Sequence, residues 1–496
     1  MKSAYVLAID QSTSATKAIL FDASARPVHR VTIEHRQFYP RPGWVEHDAT
    51  EILNNSVEAM ARVVREAGAA VNELAALAIT NQRETIVAWD SESGTPVHHA
   101  LVWQDERGTE FCETLKSGGS AAVIQDKTGL VVDTYFSASK LRWIVQNSDA
   151  AGRALRSGHL LCGTVDSWLI WNLTGRKVFA TDYSNACRTL LFDIYRLQWD
   201  DELLSLFGLT GVRMPQVLPS DGNFGEAEIA PLAVRLPVRS AMGDSHAALF
   251  GHAAFGGGTA KSTYGTGSSV MMNVGSSPRR PPEGIVASIG WGEDKTVTYV
   301  FEGNINHTGD TIRWVRDNLH LFENYDEAEE LSQSIESSGG VYLVPAFSGL
   351  GSPYWVHGIR ATMTGLSRST GRAQIVRAAV ESIAFQIRDV IQAMTAGGEF
   401  SLSDLRVDGG ATANHFLMQF QADILGVPIR VASIEEVSAR GVAYMAGRRQ
   451  GLWNGAEDLA RLSVPADTYS PRMTSKVRED LIRGWSHAVA QTLLRE

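Results

Sequence analysis

The strongest constraint on the fold is a unit that occurs twice. Tyr5-Val-Leu-Ala-Ile-Asp10 is an apolar run of strand length, Gln11-Ser-Thr-Ser-Ala-Thr16 is a polar turn, and Lys17-Ala-Ile-Leu-Phe-Asp22 is a second strand. The pattern returns as Ala260–Thr263, then Tyr264-Gly-Thr-Gly-Ser-Ser269, then Val270–Val274. Small residues in such turns let backbone N–H groups and hydroxyls face phosphate oxygens, so two turns could clasp a nucleotide from opposite sides. Either turn alone is better explained as an ordinary hairpin. Neither has the Gly-Lys-Ser ending of a P-loop or the Gly-x-Gly-x-x-Gly of a dinucleotide fold, so those phosphate-binding classes lose support.

Between the two units, Ala241-Met-Gly-Asp-Ser-His246 sets Asp244 just beyond a short strand, Val238–Met242, near the middle of the chain. A carboxylate placed between two such turns suits the catalytic hinge of a two-domain kinase. A chain of 496 residues is too long for one core. Phe255-Gly-Gly-Gly258 reads as a flexible connection, so the expected boundary lies near residue 252, giving domains 1–252 and 253–496. Because the second half restarts with the hairpin type of the first, the expectation is two related α/β domains facing a cleft.

A formal net charge of −10 argues against nucleic-acid or anionic-membrane partners, which need clustered positive charge. A small-molecule ligand fits better. The odd, widely spaced cysteines Cys112, Cys162 and Cys187 make neither a disulfide framework nor a metal cluster and read as buried thiols in a reducing compartment. The opening segment reaches Asp10 before it could form a leader core, and no apolar run approaches membrane-spanning length. A cytoplasmic location is expected; whether the chain forms a homo-oligomer is left open.

Asp48 with Glu51 has the spacing of a capping box and starts a helix that runs to Gly68. The strand Leu77–Thr80 leads into the corner Asn81-Gln-Arg-Glu84, where open α/β sheets place ligands, although an Arg-Glu corner is also an ordinary solvated ion pair. Trp103 falls at another strand end, and spacing alone favours a core tryptophan there. Gly163–Trp171 reads as a helix-like run containing Asp166, and Ala373–Met394 as a long amphipathic helix. Leu405–Asp408 runs into the glycine-rich turn Gly409-Gly-Ala-Thr-Ala-Asn414 ahead of a helix, a weak signal for a nucleotide touching backbone.

Taken together these segments resemble the FGGY family of carbohydrate kinases, most closely its glycerol kinase branch, over nearly the whole chain. The resemblance rests on Asp10-Gln11 with Thr13, Pro42–Asp48, Asn81–Thr85, Val102–Gln104, Tyr135–Ser137 with Lys140, and Gly163–Asp166. It continues through Gly243-Asp244, Ala247–Gly251, Thr263–Gly267, Gly349–Trp355 and Val407–Gly410. It implies two ribonuclease-H-like, actin-like ATPase domains around a central cleft, closing on ATP and a polyol or sugar, with Mg²⁺. By that resemblance Asp244 is the general base, and Asp10 the carboxylate of the Mg²⁺ shell. Thr13, Ser14, Gly265 and Thr266 cradle the phosphates, and Gly309, Arg313, Gly410, Ala411 and Asn414 line the adenosine side. Arg83, Glu84, Trp103, Tyr135, Asp244, Ser245 and Ser269 form the substrate pocket, with donor and acceptor for adjacent hydroxyls and rings over the carbon chain.

The departures bear on substrate. Gly243-Asp-Ser-His246 stands where glycerol kinases read Gly-Asp-Gln-Gln, and Ser269 stands for a substrate-covering phenylalanine. Losing an amide and a ring implies a larger, more polar pocket, so a four- or five-carbon polyol or ketose stands beside glycerol as the expected substrate. His246 reads as a packed histidine. The stretch Gly225-Glu-Ala-Glu-Ile-Ala-Pro231 lacks the basic, glycine-rich character of the fructose 1,6-bisphosphate loop of some relatives, so no such inhibition is expected. A chaperone-like or filament-forming ATPase of the same fold is the reading from another class. It needs the two turns but not Arg83, Glu84 and Asp244 together.

Overall fold

The structure, a computed structural model, describes residues 5–494. Met1–Ala4, which open the segment read above for a leader, lie outside them. Two mixed sheets share one topology. In the first, the hairpin β1 (Tyr5–Gln11), β2 (Ala15–Phe21) and β3 (Pro27–Glu34) is antiparallel, and β4 (Leu74–Asn81) and β5 (Val234–Gly243) add in parallel on the other side of β1. In the second, β6 (Ala260–Tyr264), β7 (Ser268–Gly275) and β8 (Thr296–Ile305) repeat the hairpin. There β9 (Leu405–Asp408) and β10 (Ile429–Ala432) repeat the parallel pair. Edge strands bring the two sheets to six and seven strands.

The first strands are apolar on both faces because both faces are covered. Leu7, Ile9, Ala18 and Leu20 pack with helix α1 (Ala49–Glu66), whereas Val6, Ala8, Ile19 and Phe21 pack on the opposite side. That opposite side meets α2 (Asp244–Gly251). The second sheet buries one face against the long α4 (Arg372–Thr395), with the short α3 (Gly309–Asp317) beside it. Helix α5 (Val437–Arg449) comes from late in the chain, yet packs on α2 and on β1, β4 and β5 of the first sheet. Met271 and Val300 of the second sheet join the same cluster, so α2 and α5 form a layer shared by both halves. Asp244 opens α2 and therefore stands where the two sheets meet.

Local readings differ from the structure in two places. Asp48 caps α1 as expected, accepting from the Thr50 and Glu51 amides. The return bond of a capping box is replaced by an ion pair, because Glu51 reaches Arg36 at 3.0 Å. Gly163 belongs to the strand Leu160–Thr164, and the helix begins only at Val165, since the β-bridging partner Val87 holds Gly163 extended. All three cysteines are buried free thiols. Among the described residues no helix is long and apolar enough to cross a membrane.

Candidate active site

The corner after β4 does not form a solvated Arg-Glu pair. Arg83 and Glu84 are both buried and each pairs with another partner. Glu84 adopts a left-handed backbone, φ 62°, as the chain turns from β4 into the strand Ile86–Asp90. The Arg83 Nε–H donates to Asp244 Oδ1 at 3.1 Å, and its Nη1 lies 2.7 Å from Glu302 Oε1. Gly243 makes that crossing feasible, since a Cβ there would lie 2.6 Å from Arg83 Cγ. Arg188 completes the cluster, with Nε donating to Glu84 Oε1 at 2.6 Å and Nη1 2.7 Å from Glu302 Oε2. Burial opposes a charge on Glu302, but Arg188 and Arg83 hold its carboxyl well below the usual carboxylate range. Asp244 is the open member, its side chain 37% exposed while Arg83 and Glu84 are 4% and 1% exposed. Glu84 Oε2 is buried with no protein partner, an acceptor available to a ligand hydroxyl.

Neither Arg188 nor Glu302 emerged from the sequence reading. The available signal was one charge inside an apolar run: Ala-Cys-Arg-Thr-Leu-Leu around Arg188, and Tyr-Val-Phe-Glu-Gly around Glu302. The Arg188 segment is pinned to the strand ends. The Gly243 amide donates to Ser184 Oγ at 2.9 Å, and the Asn81 and Asn185 side chains bond reciprocally at 3.0 and 3.2 Å.

Trp103 is half-buried rather than a core residue. Its ring meets Tyr135 edge to face at 5.5 Å, and its Nε1–H donates to Thr13 Oγ1 at 3.0 Å. The Tyr135 loop is fixed from beneath by Lys140, whose Nζ donates to the carbonyls of Thr134, Tyr135 and Phe136 at 2.5, 2.9 and 2.8 Å. Ser245 donates its amide to Asp244 Oδ1 at 2.6 Å. Ser269 donates its hydroxyl to Glu302 at 3.1 Å, so the polar character expected at that position is taken up by the protein's own ion pairs. His246 is packed: it is buried, its Nε2 lies 3.3 Å from Ser288 Oγ, and burial with Arg83 keeps the ring neutral.

The first turn, with Thr13 half-buried and Ser14 exposed, is held by His35, whose ring Nε2 bonds the Thr13 carbonyl at 2.9 Å. The second turn carries Gly265 and Thr266 and abuts the start of α3. Gly309 N–H donates to Gly265 O at 3.0 Å, and a Cβ on Gly309 would lie 2.6 Å from that oxygen. Gly409, at φ 99°, crosses the backbone of Tyr264, which brings Gly410, Ala411 and Asn414 beside the same turn. Asn414 caps the next helix through Leu417 N–H at 2.8 Å. Arg313 is half-exposed on α3, 3.8 Å from Asp310.

Asp10 is the penultimate residue of β1, directly opposite Lys17 of β2. Burial pushes its carboxyl up to about 6, against Lys17 and with the charge of Asp244 adding to the rise. A buried carboxylate that feels the charge of a second carboxylate is a hard anionic donor whose charge a divalent cation would relieve, so Asp10 fits Mg²⁺.

Comparison with known proteins gives a consistent answer. Residues 5–251 match the N-terminal domain, and residues 260–449 the C-terminal domain, of the FGGY family of carbohydrate kinases. Glycerol kinase 1 of Thermotoga maritima is 49% identical over 489 residues, covering 99% of each chain. The structure of Plasmodium falciparum glycerol kinase with ADP superposes with a TM-score of 0.93 at 34% identity, covering 100% of this chain and 99% of that one. A ligand-bound xylulose kinase from Lactobacillus acidophilus, at 19% identity and a TM-score of 0.86, shares the fold and covers 98% of this chain and 97% of its own. With both domains matched and identity near one half along the whole length, the chain belongs to the FGGY family of carbohydrate kinases.

Proposed function

We propose that this chain transfers the γ-phosphoryl group of ATP to a terminal hydroxyl of glycerol, with Asp244 as general base. The observation that carries the reading is that residues of one polar pocket bond toward both turns. Trp103 donates to Thr13 in the first, and Arg83 connects through Glu302 to Ser269, just past the second. A pocket joined in this way would set an acceptor hydroxyl against a phosphoryl donor, and phosphoryl transfer gains most of its rate from such positioning. Arg83 would donate to one hydroxyl and the free Glu84 Oε2 accept from another, while Trp103 and Tyr135 cover the carbon chain. Asp244, the exposed carboxylate of the cluster, would take the proton of the attacking hydroxyl.

Thr13 and Ser14, with Gly265 and Thr266, would receive the phosphates. Gly309, Arg313, Gly410, Ala411 and Asn414 would face the adenosine. Asp10 would hold Mg²⁺, which neutralises charge on the phosphates when bound. The two domains would meet near residue 252, with α2 carrying the base at their junction. Closure around both substrates would exclude water and limit hydrolysis of ATP.

Ser245 and Ser269 favour a second reading, a four- or five-carbon polyol or ketose in the same pocket. A coupled ADP-release screen of the purified protein over glycerol, tetritols, pentitols, tetruloses and pentuloses decides between them. The highest kcat/KM is expected with glycerol. ATP hydrolysis that ignores every polyol would overturn the kinase reading in favour of a chaperone-like ATPase.

A further inference from the structure

Glu302 lies at the joint between the two halves. It sits in β8, wholly buried, and takes a different partner on each oxygen: Arg83 at Oε1 and Arg188 at Oε2, both at 2.7 Å. Charges then alternate from Glu84 through Arg188, Glu302 and Arg83 to Asp244, with Glu302 at the centre. Glu302 is the member of that chain contributed by the second half. Its strand pairs with β7, which leaves the turn holding Gly265 and Thr266, and Ser269 in β7 donates to Glu302 Oε1 at 3.1 Å. With Nε on Asp244 and Nη1 on Glu302, the Arg83 fork is aimed, and Nη2 is the part left for a substrate hydroxyl.

We propose that Glu302 is a positioning residue that couples the polyol pocket to the second turn: it orients Arg83 and Arg188, and Ser269 ties that orientation to the strand leaving Gly265 and Thr266. The inference rests on the assignment of Arg83 and Glu84 to the substrate pocket. Its physical basis is that two buried guanidiniums cannot hold their directions without the carboxylate between them. A shift of the second turn on nucleotide binding moves the start of β7, and Ser269 passes that shift to the group that aims Arg83. Polyol and nucleotide should therefore reinforce each other's binding, and by linkage the reinforcement is the same read from either ligand.

The test is glycerol binding by calorimetry, with and without a non-hydrolysable ATP analogue and Mg²⁺, in the parent, Glu302→Gln and Ser269→Ala, alongside steady-state kinetics. The parent is expected to bind glycerol more tightly when the analogue is present. Glu302→Gln should raise the glycerol KM by about tenfold or more, because a buried charge pair is broken, and bring the ratio of the two glycerol Kd values towards one. Affinity for the ATP analogue measured without glycerol should stay within about threefold of the parent, while the ATP KM at saturating glycerol should rise by the coupling that is lost. Ser269→Ala should weaken the coupling in the same direction by about two- to tenfold, the net worth of one ordinary hydrogen bond.

A folded Glu302→Gln variant that matches the parent in glycerol KM and in the Kd ratio overturns the inference. So does an equal worsening of glycerol KM, ATP KM and kcat together with a fall in Tm, which marks a residue that only holds the core. Should Glu302→Gln fail to fold, Ser269→Ala decides, and an unchanged Kd ratio there overturns the inference. A parent that turns over no polyol overturns the proposed function itself. A parent that turns over glycerol but shows no coupling overturns only this inference.

Discussion

Trp103 donates its indole N–H to Thr13 Oγ1 at 3.0 Å, so a ring of the polar pocket is bonded directly to the turn that follows β1. Two separate strand ends supply those residues, and their contact fixes the pocket against one side of the cleft. The opposite side is reached through Arg83 and Glu302, and Asp244 lies between.

Replacing Asp244 by Asn keeps an oxygen for the Arg83 Nε–H and removes the base. The expected result is a loss of kcat of roughly 100- to 10,000-fold with a small change in glycerol KM. Coupled ADP release measures both, and a Tm equal to that of the parent excludes misfolding. Near-normal kcat would remove Asp244 from the role proposed for it.

Two glycines that the proposed function puts beside the nucleotide should differ in what they do to stability. Ala at Gly309 places a Cβ 2.6 Å from the Gly265 carbonyl, a backbone atom that cannot swing aside. Gly309→Ala is therefore expected to cost about 1–3 kcal/mol and to raise the ATP KM as the second turn shifts. A methyl group at Gly410 would meet nothing within 4 Å. Gly410→Ala should therefore leave stability within about 0.5 kcal/mol of the parent. A severalfold rise in ATP KM for Gly410→Ala at unchanged Tm is expected where adenosine rests on that backbone. An unchanged ATP KM would move the adenosine elsewhere.

Asp166 should give stability a pH dependence. It is wholly buried and accepts the Thr164 and Thr181 hydroxyls at 2.5 and 2.6 Å. Burial, with Asp182 nearby, pushes its carboxyl up to about 7. An unfolded aspartate releases its proton at about 4, so between these values the folded protein binds more protons and stability falls as pH rises. Asp166→Asn should therefore gain on the parent by about 1–3 kcal/mol between pH 5 and pH 7, read from urea unfolding at a series of pH values. A difference that stays flat over that range would show that Asp166 does not titrate there.

Fructose 1,6-bisphosphate should leave the activity unchanged. The stretch expected to lack a bisphosphate loop forms the edge strand Glu226–Ile229, with Glu226 and Glu228 exposed along it. Two outward carboxylates repel a doubly phosphorylated ligand, and Glu228 already takes Arg235 at 3.3 Å. Velocity measured with increasing bisphosphate at fixed glycerol and ATP checks this, and strong inhibition would contradict it.

The doubled hairpin, the helix capped by Asp48 and the long helix α4 were legible because their signals are local. Periodicity, capping and turn composition act over a few residues, and the apolar runs of β1 and β2 already require cover on both faces. Arg83, Glu84 and Asp244 were visible as charges at strand ends. A place for them in one pocket with Trp103 and Tyr135 came from the resemblance to the family and not from local pattern, which favoured a core tryptophan and a solvated ion pair. Tertiary structure alone decided how they pair. Arg83 and Glu84 are neighbours in the chain yet turn to different partners, and Arg188 and Glu302, each a single charge in an apolar strand or loop, become the centre of the cluster. Likewise α5 belongs to the second half by sequence and packs on the first sheet. Such choices depend on which distant groups share a desolvated space, where an unpaired charge is too costly to persist, and no local pattern records that sharing.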